Sequence, residues 1–222
     1  MRLPPYSNGG TLTLSRTNIS RGKESYEMSE PTPANRPMRA DAQRNYASLL
    51  KTARVAVSER GADIVLEDIA RSAGVGIGTL YRHFPTRQDL LEAVFLDETN
   101  ELRARAEELA SAPVPFDALI SWLRLQMDFA ARGRSMGAAI MAAKHVEGTR
   151  ISAANKAMHE AGKVLLLRAQ AAEQIRTDVH IRDVIRLVYG IAMVNERASD
   201  PDGANRMLDL VIAGIRTKPS RD

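Results

Sequence analysis

The positions richest in chemistry lie between Asp68 and Phe84. The run Asp68-Ile69-Ala70-Arg71-Ser72-Ala73-Gly74-Val75-Gly76-Ile77-Gly78-Thr79-Leu80-Tyr81-Arg82-His83-Phe84 ends in a stretch with a hydroxyl, a phenol, a guanidinium and an imidazole, and no carboxylate. At helical spacing Val75, Leu80 and Phe84 point inward, and Ile77, Thr79, Tyr81, Arg82 and His83 stay off that buried stripe. A face of donors without an anion suits a groove lined with phosphates and base edges. Gly78 lets a foreign backbone approach closely.

Other chemistry is harder to find. Gly74-Val75-Gly76-Ile77-Gly78 has no strand before it and no Gly-Lys-Ser/Thr after it, so it is not read as a nucleotide loop. His83, His145, His159 and His180 lack zinc-ligand spacing, and there is no cysteine to supply thiolates. No Gly-x-Ser-x-Gly elbow occurs. The expectation is a protein without catalytic residues, metal or cofactor. Absence of cysteine fits a reducing cytoplasm, no run of apolar residues is long enough to cross a membrane, and the opening residues lack the apolar core of a signal peptide. A net charge of +4 tolerates an anionic partner but decides little.

The elements that must position this stretch are helical. Residues 1–38 are expected to be disordered, because Pro4, Pro5, Gly9, Gly10, Gly22, Pro31, Pro33 and Pro37 interrupt any period. This tail holds five basic and three acidic residues, and Met28 would serve equally as the start of the folded part. Tyr46, Leu49, Leu50, Ala53, Ala56 and Val57 then form one apolar stripe, with Asp41 as the expected cap and Gly61 as the stop. Short helices are expected at 66–72 and 76–83, with a tight turn at Gly74, where a left-handed backbone suits glycine. Thr86-Arg87-Gln88-Asp89 reads as a capping box with Phe84 as its apolar staple, opening a helix that runs to about 110. After the break at Ser111 to Pro115, helices are expected at 116–131, 135–147, 151–176, 181–196 and 202–215. No strand alternation or internal repeat is seen. The fold class expected is all-α: a three-helix helix-turn-helix head at 39–86 and a helical regulatory and dimerisation domain at 87–222.

The stretch closely resembles the signature of the tetracycline-repressor (TetR) family of bacterial regulators, through Asp68-Ile69-Ala70, Ala73-Gly74-Val75, Gly78-Thr79-Leu80-Tyr81 and His83-Phe84, followed by Arg87 and Leu90. The resemblance implies that Thr79, Tyr81 and His83 face DNA and that Arg87 contacts phosphate. Geometry adds Arg82 and Ile77, and Arg44 joins as a candidate phosphate contact. Two departures stand out: Val65 replaces the usual hydroxyl cap of the second helix, and Gly76 replaces Ser or Thr at the start of the recognition helix. From Arg39 to Phe95 there are eight basic and seven acidic residues, so affinity must come from where charges sit.

The family likeness further implies a ligand-responsive transcriptional regulator, usually a repressor, that binds a palindromic double-stranded operator as a homodimer. Its last two helices would pair with those of a second subunit, giving Val184, Val188, Ile191, Met207, Val211 and Gly214 as interface candidates. A small-molecule effector would sit between the middle helices, where Trp122, Met127, Phe129, Met136, Met141, His145 and Met158 are the candidate lining. The segment from Gly133 to Gly137 reads as a loop through which it could enter. The rival reading is a helical ligand-binding protein or enzyme with a vestigial DNA-binding head.

Overall fold

The computed structural model describes residues 35–133, 136, 138–195 and 202–217. Nine helices account for almost all of them: α1 (Asn35–Arg60), α2 (Leu66–Ser72), α3 (Ile77–His83), α4 (Arg87–Leu109), α5 (Pro115–Gly133), α6 (Ala138–Ala143), α7 (Arg150–Ala171), α8 (Ile181–Asn195) and α9 (Gly203–Ile215). The only extended pairing among the described residues is one antiparallel bridge between Ile175 and Arg216. The expected all-α class is therefore found. The expected tail is corrected at its end, since residues 35–38 belong to α1; the rest of it lies outside the described residues.

Three short-range signals behave as the sequence says. Gly61 leaves α1 with φ +69°, its N–H bonded to the Val57 carbonyl. Gly74 leaves α2 with φ +66°; its N–H reaches Arg71 O and the next N–H, of Val75, reaches Ala70 O, closing a Schellman turn. Thr86 and Asp89 form a reciprocal capping box at the start of α4.

Three expectations of helix bounds and caps are corrected, and the two missing side-chain caps are found. Asp41 does not cap α1; the helix starts at Asn35, and Asp41 pairs with Arg44 one turn on. The helix expected at 135–147 is the single turn and a half of α6. The helix expected to reach Arg176 stops at Ala171, in a Schellman turn that puts Glu173 at φ +56°; a turn normally marked by glycine is invisible when glutamate occupies it. Val65 and Gly76 are the N-cap residues of α2 and α3, and neither provides a side-chain cap.

The head is a small cluster of α1, α2 and α3 around Leu49, Ala53, Ile69, Ala70 and the fully buried Leu80. Ser48 Oγ donates to the Ala73 carbonyl at 2.9 Å, clamping α1 to the turn. In the body, α4 packs along α7, and α5 packs on both α7 and α8, with α9 lying against α8. Gly162 of α7 is essential to this packing, because Trp122 lies against it: a Cβ there would stand 2.2 Å from the indole ring.

Candidate DNA-binding site and body interior

The helix α3 is anchored by one side and free on the other. Leu80 is fully buried, while Ile77 (42% exposed), Gly78, Tyr81 (43% exposed) and Arg82 face solvent, with Thr79 and His83 half-buried. His83 is partly covered because its ring packs edge-on against Tyr46 of α1, centroids 5.7 Å apart. Its placement is set by the head core as much as by solvent. Arg44 and Arg87 are exposed; Arg44 is held by Asp41, and Arg87 lies 3.9 Å from Asp63.

The outward groups rest on internal partners. The Arg82 guanidinium donates to Thr79 Oγ1 at 2.8 Å and to the Gly78 carbonyl at 3.2 Å. Tyr81 donates its hydroxyl to Glu67 of α2 at 3.2 Å. The Glu67 carboxylate raises the phenol above its ordinary value, so Tyr81 stays a donor. Glu67 was not anticipated from sequence, since nothing in the spacing reveals that α2 crosses beneath α3. All these contacts are solvent-accessible and exchangeable for contacts with a phosphate or a base edge at small cost.

The head is tied to the body by charge. Arg54 of α1 donates to Glu101 of α4 at 2.9 Å and also pairs with Asp97. Its Nε lies 3.7 Å from Oε1 of Glu98, which Arg132 of α5 approaches to 3.5 Å. Glu98 is 4% exposed, and burial pushes its carboxyl up despite the opposing pull of Arg132 and Arg54.

The candidate effector lining is dispersed. Trp122 is fully buried, its indole N–H donating to the Leu102 carbonyl at 3.0 Å, so it is a packing element of α4, α5 and α7. Met127, Met136 and Met158 are buried in the common core. His145 is exposed in the turn after α6, which corrects its assignment to the interior: the shortened α6 leaves it outside. The Met141 side chain lies outside the described residues, as do Arg134, Ser135 and Gly137 of the expected entrance. Phe129 does meet polar company, because Lys144 Nζ stands 6.0 Å from its ring centroid.

The interface candidates split in two. Val184, Val188 and Ile191 are buried within the protomer, which corrects their assignment to a subunit contact: that face of α8 is taken by α5. Met207 and Val211 are half-buried and Gly214 is exposed. The apolar surface left open instead includes Leu187 (51% exposed), Met193, Val194 and Leu210 (74% exposed), with Gly190 between them. The sequence showed two apolar faces on these helices but not which of them α5 would cover.

With this arrangement in view, the likenesses to known proteins fall into place. Residues 49–94 match the family of bacterial regulatory proteins of the tetR type, and residues 114–217 match the C-terminal domain of SbtR-like transcriptional regulators. A TetR transcriptional regulator from Streptomyces coelicolor is 36% identical and superimposes with a TM-score of 0.67, over 78% of this chain and 99% of that one. A TetR regulator from Mycobacterium vanbaalenii is 30% identical with a TM-score of 0.63, over 82% of this chain and its own full length. An HTH-type transcriptional regulator of Staphylococcus aureus is 35% identical over 77 residues, 33% of this chain; the match spans 40% of the length of that relative.

An exposed donor face on a short helix, joined to α2 by a glycine turn, together with these likenesses marks a DNA-binding transcription regulator. The chain belongs to the TetR family. No helix among the described residues is long and apolar enough to cross a membrane.

Proposed function

We propose that this chain is a cytoplasmic repressor that binds a palindromic operator as a homodimer and releases it when a small effector enters the body. The observation that carries this reading is the outer side of α3, where Ile77, Tyr81 and Arg82 are exposed beside Gly78 and no carboxylate belongs to the helix. Tyr81 and Arg82 supply donors to base edges and phosphates, Ile77 an apolar contact for a thymine methyl, and Arg87 and Arg44 the flanking phosphate contacts. We assign 35–86, from the start of α1, to the DNA-binding head and 87–222 to the regulatory and dimerisation body, with the expected tail before them.

Two heads bind successive major grooves, about 34–36 Å apart, when a body dimer holds them. The open apolar side of α8 and α9, with Leu187, Met193, Val194 and Leu210, supports that pairing. The effector acts by favouring one disposition of α4 over another. Arg54 transmits it, since the Arg54 contacts with Asp97 and Glu101 join α1 to α4.

The test is selection of bound fragments from a random duplex pool by the full chain, followed by gel retardation of the winners at two salt concentrations. A recovered inverted repeat, bound by two copies and weakened by added salt, is the expected result. Retardation without sequence preference, or none at low salt, would overturn the proposal.

A further inference from the structure

The body holds polar groups that nothing among the described residues satisfies. Gln126 of α5 is fully buried, and neither its amide nitrogen nor its amide oxygen has a hydrogen-bond partner. Folded interiors seldom leave an amide in this condition. Phe129 lies one turn further along the same face of α5. Next to its ring is the Lys144 ammonium, 5.6 Å from the Phe95 centroid and 4.4 Å from that of Tyr189, with a 3.3 Å hydrogen bond to the Tyr189 hydroxyl.

Lys144 is a cation held by aromatic faces in place of a counter-ion. Among the described ion pairs none involves it, and burial alone lowers its pKa to about 8, so it remains charged at neutral pH. His159 of α7 adds no negative charge. Burial, together with the Lys144 and Arg182 charges, holds its imidazole neutral, with a pKa lowered to about 4, although Glu160 pulls the other way. Lys144, His159 and Tyr189 are half-buried, and Gln126 is sealed. The polar groups therefore grade from the surface inward.

We propose that Gln126, Lys144, His159 and Tyr189 form the site of a small effector with an apolar, aromatic-sized body and a single carboxylate. This deepens the reading above, on which it rests; the new element is the chemical class. The carboxylate replaces the missing counter-ion of Lys144 and accepts from it. Phe95 and Phe129 cover the apolar body. Gln126 meets a distal group that both donates and accepts, such as a hydroxyl. Lys144 is the cation set among the aromatic rings, and the other cation that acts on His159, Arg182, is exposed, so the enclosed part of the site matches a monoanion better than a phosphate dianion.

The experiment is calorimetric titration of the full chain with benzoate, 4-hydroxybenzoate and benzyl alcohol, in wild type, Lys144→Met and Gln126→Leu, with the melting temperature of each followed in parallel. Benzoate is expected to bind wild type at least tenfold more tightly than benzyl alcohol, and Lys144→Met to remove that difference. The 4-hydroxyl should strengthen binding in wild type and not in Gln126→Leu. Each variant should melt no lower than wild type, since each removes a desolvated polar group; if Lys144→Met fails to fold, Lys144→Gln takes its place. Equal binding of benzoate and benzyl alcohol, or a folded Lys144 variant that keeps the preference, overturns the assignment. Operator retardation separates this from the reading beneath it. If benzoate fails while a small-molecule cell fraction still releases the operator, the carboxylate assignment falls and effector response stands. If benzoate binds through Lys144 and DNA affinity does not change, the site stands and effector response falls.

Discussion

The head and the body of this protein solve opposite problems. In the head, every described residue that is fully enclosed is apolar, and the chemistry sits on the outer side of α3. In the body, the buried residues include Glu98, Thr99 and Gln126, and Lys144 and His159 are half-submerged. A surface that meets DNA stays solvated until it binds, so its polar groups cost little in the free protein. A body that takes a small molecule, as proposed above, must keep polar groups inside, and each orphan group there lowers stability. On the proposed function, the difference teaches that recognition of a large polyanion is written on the outside, whereas recognition of a small ligand is stored in the interior.

The contrast can be broken or sharpened by substitution. The largest effect expected is on the body: Gly162→Ala drives a methyl group into Trp122, and because the indole is fully buried and hydrogen-bonded it has nowhere to go. A loss of about 3 kcal/mol in chemical denaturation is expected, and a loss under about 1 kcal/mol would show that this interior is softer than described. Next comes Tyr81→Ala, which should weaken operator binding by about 2 kcal/mol, roughly thirtyfold, and leave melting and dimerisation alone. An unchanged retardation profile would mean that α3 presents another face to DNA.

Gly74→Ala should cost about 1 kcal/mol. A Cβ there meets nothing within 4 Å, so the whole effect comes from φ +66° and not from crowding. A larger loss, seen in thermal melts, would reveal a contact that the head core lacks here. The smallest effect is a gain. Glu173→Gly relieves the left-handed glutamate at the end of α7, and should stabilise by about 0.5 kcal/mol after the added flexibility of the unfolded chain is counted. A melting point that falls instead would assign Glu173 a favourable side-chain role.

Acid should also separate the two regions. Because His159 is held neutral with a pKa near 4 against an ordinary 6.5, the unfolded chain binds a proton there that the folded chain refuses. Stability is therefore lost as pH falls from about 6.5 toward 4. The charged groups that act on His159 are Lys144, Arg182 and Glu160. His159→Gln should flatten the acid limb of the stability curve; an unaltered limb would place His159 in contact with water.

The amino-acid sequence by itself determined the all-helical class, the glycine turns at Gly61 and Gly74, the capping box at Thr86 and the short helix that ends at His83. Each is a local matter, decided by neighbours within four or five positions, where glycine, a hydroxyl or an apolar repeat acts directly on the backbone. It could not tell which apolar face of α8 would be spent on α5, that Trp122 would lie on Gly162, or that Glu67 would hold Tyr81. Gln126 did leave a trace, as the polar member of a stripe containing Trp122 and Phe129, but its meaning depends on Lys144 arriving from a separate turn. Those outcomes join residues far apart in the chain, and only packing in three dimensions sets which side of a helix is covered and which polar group is left without water.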